Sequence, residues 1–237
     1  MIQLHVFPAG PEIPNYSPAC MKLETWLRLA KLPYEKVLVT GSPAKAPKGK
    51  LPYIVDGNDT VPDSEAVIAY LLKKYDVDLD ERLSAEEKAV ARAFERMLNE
   101  HSYFGIVYAR WIDAPGWAQV KPAYFGELPP VVRHLVPELL RKRIQRDLQG
   151  QGLGRHSADE IYVRIAQDLQ AVSDYLADQP YFMGREPTTI DATVYATVGN
   201  AVMANIKTPI TELALQHSNL VAYCTRMTQR CFPELKS

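Results

Sequence analysis

The hydrophobic pattern of the first 75 residues changes period several times, and the order of those changes restricts the chain to few folds. Ile2 to Phe7 alternates with period two, as a half-buried strand does. Pro8 to Pro14 then brings three prolines and a glycine, which end any regular element. Ser17-Pro18 supplies an N-cap side chain followed by a proline at the first helical position, and the helix formers of Met21 to Lys31 carry the helix to a stop before Pro33. Tyr34 to Val39 reads as a second strand, so the opening is a βαβ unit with parallel strands. After a Gly-, Ser-, Pro- and Lys-containing loop over 41–50, Leu51 to Asp56 reads as a short strand. Gly57-Asn58-Asp59 is turn chemistry, which makes Thr60-Val61-Pro62 an antiparallel partner. Ser64 to Tyr75 places Ala66, Val67, Tyr70 and Leu71 at helical spacing and closes a βαβ-ββα unit.

An acidic linker, Asp76 to Glu81, follows, and beyond it no strand pattern stands out. Ala85 to Trp111, Pro129 to Leu148, Ser157 to Leu176 and Thr188 to Ile206 read as helices. The expected division is an α/β domain over residues 1–78 and an all-helical domain over 84–237. Between Trp111 and Pro130, three prolines, two glycines and several aromatics make a stretch more irregular than a helical bundle needs.

Composition narrows the function classes. With 27 basic and 28 acidic residues among 237, the formal net charge is −1, so no overall field favours nucleic acid or an anionic membrane, and a small partner is the default expectation. The basic run Arg133 to Arg146 reads as a solvated helix face. Three cysteines (Cys20, Cys224 and Cys231), odd in number and irregularly spaced, suggest neither a disulfide framework nor a metal cluster. Ile2 to Phe7 carries no export signal, and Asp191 and Asn200 interrupt the most apolar helix, so the expected location is the cytoplasm.

Four segments, in order, carry a family resemblance. Ser17-Pro18-Ala19-Cys20 stands where thioredoxin-like proteins keep a C-P-x-C segment at a helix start. Gly49-Lys50-Leu51-Pro52-Tyr53 is similar to the loop and cis-proline before their third strand. Asp63-Ser64 opens a helix like the acidic-Ser pair that holds the γ-glutamyl end of glutathione, and Thr188-Thr189-Ile190-Asp191 resembles the capping box of the core helix in transferase C-terminal domains. The chain thus resembles the glutathione S-transferase superfamily over nearly its whole length. Ser17 to Thr25, together with Gln151 to Ser157, resembles its failed-axon-connections and metaxin-like branch. The resemblance implies a thioredoxin-like N-terminal domain, an all-helical glutathione-transferase C-terminal domain, glutathione as co-substrate, a small electrophilic second substrate and a homodimer.

Such a transferase must ionise the glutathione thiol. A hydroxyl that donates to the sulfur and a helix N-terminus that adds partial positive charge both favour the thiolate. Ser17 offers both devices, although capping α-helical N–H groups would occupy its hydroxyl as well. Tyr16 is a second hydroxyl donor. Cys20, one turn into the helix, is either a packed structural thiol or a nucleophile for thiol–disulfide chemistry. The resemblance further implies that a cis Leu51–Pro52 bond aims the Leu51 backbone at glutathione, and that Asp63 and Ser64 receive its γ-glutamyl end. Lys50 and Lys48 either meet its glycine carboxylate or stay solvated. Tyr103, Tyr108, Trp111 and Trp117 could build an apolar electrophile pocket or belong to the core. Besides the transferase, a non-catalytic metaxin-like scaffold and a Cys20-based oxidoreductase remain open readings. Loss of the first C-P-x-C cysteine to Ser17 speaks against the last, since serine forms no mixed disulfide.

Overall fold

A computed structural model describes residues 1–126 and 128–235. Four strands, β1 (Ile2–Val6), β2 (Tyr34–Leu38), β3 (Tyr53–Asp56) and β4 (Asp59–Pro62), form one sheet in the order β2-β1-β3-β4. β1 and β2 run parallel with Ile2 opposite Tyr34, while β3 is antiparallel to both β1 and β4. The crossover between the parallel strands is helix α1 (Pro18–Leu29), and α2 (Ser64–Tyr75) follows β4. The period-two reading of β1 holds. Ile2, Leu4 and Val6 are buried against Leu23, Trp26 and Leu27 of α1 and Val67 and Leu71 of α2. On the alternate positions, paired His5 and Tyr53 stack with ring centroids 4.1 Å apart. This is the expected thioredoxin-like arrangement.

From Ala85 onward the described elements are helical: α3 (Ala85–Met97), α4 (Tyr103–Trp111), α5 (Ala114–Phe125), α6 (Pro130–Gln151), α7 (Ala158–Leu176), α8 (Thr189–Val202), α9 (Pro209–Leu215) and α10 (Ser218–Cys231). None of the described helices is long and apolar enough to cross a membrane. The long helix expected over Ala85–Trp111 is interrupted by a π turn at Leu98–Ser102, which sequence spacing does not reveal. The irregular stretch after Trp111 is mostly α5. Asp113 caps it, Pro115 sits in its first turn where no N–H bond is lost, and Gly116 lets it close on α4. A Cβ at Gly116 would fall 1.8 Å from the Ala109 carbonyl oxygen. Arg141, read as part of a solvated basic face, instead turns inward and donates to the carbonyls of Trp111 and Ile112 at 2.9 and 2.8 Å.

Helix α8 is the axis of the helical half. Ile190 to Ala201 is buried without a break, so the helix lacks the polar face that marks a surface helix. Its start depends on Asp191. The carboxylate accepts from the backbone N–H groups of Thr188 and Phe182, both at 2.8 Å, and from the hydroxyls of Thr188 and Tyr223 at 3.1 and 2.9 Å. This is the capping box expected at Thr188–Asp191, placed wholly in the core.

Because two buried N–H groups lose their acceptor at once, Asp191→Ala should lower the unfolding free energy by about 3 kcal/mol or more in urea titration, and Asp191→Asn by less. A loss under about 1 kcal/mol for the alanine variant would contradict this role.

Candidate active site

A cleft of about 250 Å³ opens between the sheet half and the helical half. One wall consists of the start of α1 (Pro18, Ala19 and Lys22), the segment Lys48–Pro52 and the start of α2 (Asp63, Ser64 and Glu65). The other is built by Asn99 and Glu100 of the π turn, Tyr103 and Phe104 of α4, and Thr193, Ala196 and Thr197 of α8. Two helix N-termini therefore face one space, and each brings backbone N–H groups and partial positive charge.

At the first of these, Ser17 is the N-cap of α1. Its N–H donates to Asn15 Oδ1 at 3.0 Å, and the Asn15 amide in turn donates to the Phe7 carbonyl at 2.7 Å, which fixes the turn that aims Ser17. Ser17 Oγ accepts from the Cys20 N–H at 3.4 Å. The anticipated competition between capping and a ligand is thereby eased: an oxygen that accepts with a lone pair keeps its own hydrogen to donate. Ser17 is partly exposed and directly precedes the wall residue Pro18. The Tyr16 ring packs with the aromatic cluster of Trp111, Trp117 and Phe125, and lies 5.9 Å from the ring of Tyr124.

Cys20 is fully buried among Leu23, Trp26 and the strand residues of the sheet core. Burial pushes its thiol up to about 11, against the smaller opposing effects of hydrogen bonds involving Ser17 and Phe7. At neutral pH such a thiol is protonated, which leaves little nucleophile. Cys224 and Cys231 are also buried.

The segment Lys50-Leu51-Pro52 borders the cleft, and its Leu51–Pro52 bond is cis, as the resemblance implies. Asp63 has φ 78°, ψ 130°, a left-handed conformation that an aspartate rarely adopts. In that position its Oδ1 accepts from the N–H groups of Glu65 and Ala66 at 3.0 and 3.3 Å, and Ser64 is left at the first position of α2, buried and bordering the cleft. Lys50, Leu51, Pro52, Asp63 and Ser64 therefore meet on one wall. Ser17 and Tyr16 lie just outside it, and Cys20 stands behind it in the core.

Other cleft residues were not visible in the sequence. Lys22, on α1, is buried and pairs with Glu95 at 3.0 Å, with Glu65 4.0 Å away. Glu65 also meets Arg92 and Arg96 at 3.3 and 2.6 Å and accepts from Asn99 at 2.9 Å. Burial raises the Glu95 carboxyl, but Lys22 and Arg92 overcome that effect and hold it below the ordinary glutamate value. This network joins residues from three helices and the π turn, and no local motif announces it. Thr193 Oγ1 borders the cleft, buried and without a hydrogen-bond partner among the described residues. The four aromatics left open between pocket and core are divided between the two. Of Tyr103, Tyr108, Trp111 and Trp117, only Tyr103 borders the cleft, because α5 draws both tryptophans into a separate cluster and Tyr108 packs against Tyr162.

Comparison with known proteins agrees with this geometry. Residues 18–116 match the Glutathione S-transferase N-terminal domain, and residues 165–227 match the Glutathione S-transferase C-terminal domain. The isoprene-epoxide–glutathione S-transferase of Rhodococcus sp. (strain AD45) is 36% identical over 205 residues, which is 84% of this chain and 85% of that protein. Failed axon connections of Drosophila melanogaster is 33% identical over 99% of the chain, which spans 59% of that protein. Human metaxin-2 is 25% identical over 91% of the chain and 82% of its own length. Among solved structures, the beta-etherase LigF from Sphingobium sp. strain SYK-6 shares the fold with a TM-score of 0.65 at 15% identity, covering 99% of this chain and 98% of that one. With a relative this similar along most of both chains and both domain types in order, the chain belongs to the glutathione S-transferase family, alongside its failed-axon-connections and metaxin-like members.

Proposed function

We propose that this protein is a glutathione transferase that ionises the glutathione thiol at the start of α1 and delivers it to a small, apolar electrophile admitted from the helical half. The observation that carries this reading is the convergence of Lys50, Leu51, Pro52, Asp63 and Ser64 on one cleft, beside the N-cap Ser17. In this reading the glutathione backbone runs along Leu51, and its glycine end lies toward Lys50 and Lys48. The γ-glutamyl carboxylate meets Ser64 at the positive end of α2, a site suited to an anion. Asp63 Oδ2, not used in capping, meets the ammonium.

Ser17 donates its hydroxyl hydrogen to the thiolate, and the end of α1 adds its dipole. Tyr16 is the second hydroxyl of this turn, with its ring packed into the Trp111, Trp117 and Phe125 cluster, while Cys20 is assigned to packing, since burial keeps it protonated. The relative's name in Rhodococcus supports an epoxide-like electrophile. Residues 1–78 form the glutathione-binding domain and 84–237 the helical one, and the working unit is a cytoplasmic homodimer.

Ser64→Ala should weaken glutathione binding by ~1.5–3 kcal/mol in calorimetry, the value of a hydrogen bond to a charged group. Ser42→Ala, which removes only an exposed turn cap, should leave affinity unchanged. Equal affinities for the two variants would refute the placement of the γ-glutamyl end.

Ser17→Ala should raise the pKa of the bound thiol by about one unit, equivalent to about 1.36 kcal/mol, with turnover at neutral pH falling in step. Cys20→Ser should leave that pKa in place. Failure of the native protein to be retained on immobilised glutathione and released by free glutathione would favour a scaffold instead.

A further inference from the structure

Arg110, on α4, is a buried cation whose hydrogen bonds all go to neutral acceptors. The residue is 6% exposed. Nη1 donates to the Tyr16 carbonyl and to Asn200 Oδ1, both at 2.9 Å, and Nη2 donates to the Asn200 carbonyl at 2.7 Å. Among the described residues no Asp or Glu forms an ion pair with it. The titratable groups around it are the phenols of Tyr16, Tyr103 and Tyr124. Burial pushes Tyr103 and Tyr124 above the usual tyrosine value, so neither supplies an anion at neutral pH. A guanidinium does not escape the cost of burial by losing its proton. An unneutralised buried charge is normally selected against unless an anion arrives to meet it.

The surrounding bonds tie Arg110 to the turn that carries Ser17. Arg110 holds the carbonyl of the residue before Ser17. Asn200, which Arg110 grips twice, donates to the Asn15 carbonyl at 3.2 Å, and Asn15 Oδ1 receives the Ser17 N–H at 3.0 Å. Tyr103, on the same helix as Arg110, borders the cleft. Arg110 stands behind the cleft and does not line it; the cleft wall itself carries both signs, Lys22, Lys48 and Lys50 with Asp63, Glu65 and Glu100, and Lys22 is already matched by Glu95. Arg110 therefore brings unmatched positive charge from the helical half to the turn that aims Ser17.

We propose that Arg110 is a positioning residue whose charge is the counter-charge of the thiolate held at Ser17, so that the helical half takes part in ionising the thiol. The inference rests on the glutathione reading above. No bond to Arg110 forms or breaks: the thiol proton leaves to solvent, and the negative charge it leaves on sulfur is balanced by the guanidinium behind the turn.

The test is to titrate the ultraviolet thiolate absorbance of glutathione bound to the full chain, in the native protein and in Arg110→Gln, Arg110→Lys and Asn200→Asp. Arg110→Gln should raise the thiol pKa by about one unit, a tenfold loss of thiolate at a given pH below both values. Arg110→Lys keeps the charge without the fork and should recover most of that shift. Asn200→Asp sets a carboxylate against the unaltered guanidinium and should shift the pKa upward as well, which tests the charge even if Arg110→Gln does not fold. Glutathione affinity at acid pH, where the thiol is protonated, should change less than about threefold, because one pKa unit already accounts for a tenfold effect on the thiolate alone. A native thiolate signal that titrates identically in Arg110→Gln or in Asn200→Asp would overturn the inference alone, as would a shift in Arg110→Lys as large as in Arg110→Gln. Absence of any thiolate signal in the native protein would overturn the glutathione reading and this inference with it.

Discussion

Helix α1 has no solvent face over most of its length, and the rest of the molecule is arranged to satisfy it. Leu23, Trp26 and Leu27 fill the sheet side, while Met21 belongs to the core of the helical half. Trp26 Nε1 donates to Thr189 Oγ1 at 3.3 Å and ties α1 to the start of α8. Two charged residues are carried into this double interface. Lys22 finds Glu95 on α3, and Glu24 finds Lys36 at 2.8 Å and Arg28 at 3.0 Å. A buried charge without such a partner would be strongly destabilising. The positions of α3, α8 and β2 are therefore constrained by the needs of α1, and the two halves share one interface across it.

That constraint explains why the cleft lies where it does. The N-terminus of α1 emerges at the seam between the halves, and the N-terminus of α2 opens beside it with Asp63 in its left-handed conformation. The positive ends of two helices thus reach one cavity, with Ser17 and Asp63 capping their leading N–H groups, and their dipoles suit an anionic ligand before any charged side chain is counted. The helical half closes the cavity with a π turn, whose extra residue per turn brings Asn99 and Glu100 to the rim. It also braces the approach to Ser17 through Arg110 and Asn200. The site is therefore a property of the interface.

The helix α5 shows how a stretch that reads as irregular acquires a role in packing. Pro115 and Gly116 mark a turn on local grounds, yet Pro115 falls in the first turn of α5 and Gly116 at its contact with α4. The aromatics that follow, Trp117 and Phe125, join Trp111 and Tyr16 in a small core of their own. Their hydrophobic character was legible. Which cavity they served was not.

What the sequence determined by itself were the features written in short-range physics. Period-two alternation marked β1, Ser17-Pro18 marked the start of α1, Thr188 and Asp191 marked the cap of α8, and the order of periods separated a sheet half from a helical half. Lys50, Leu51, Pro52, Asp63 and Ser64 stood out through the resemblance of two short contiguous segments to a family pattern, and the fold brings those segments to one cleft. The tertiary structure alone decided how charge is distributed around them. Lys22, Glu65 and Glu95 lie on three different helices, and Arg110 and Asn200 are far apart in sequence, so no spacing rule links them. Whether Cys20 is exposed or buried also depended on the approach of the sheet and α2, since a one-turn offset along a helix places a side chain on a face but does not say what covers it. Burial and Coulomb interaction act through space, and only the folded chain sets those distances.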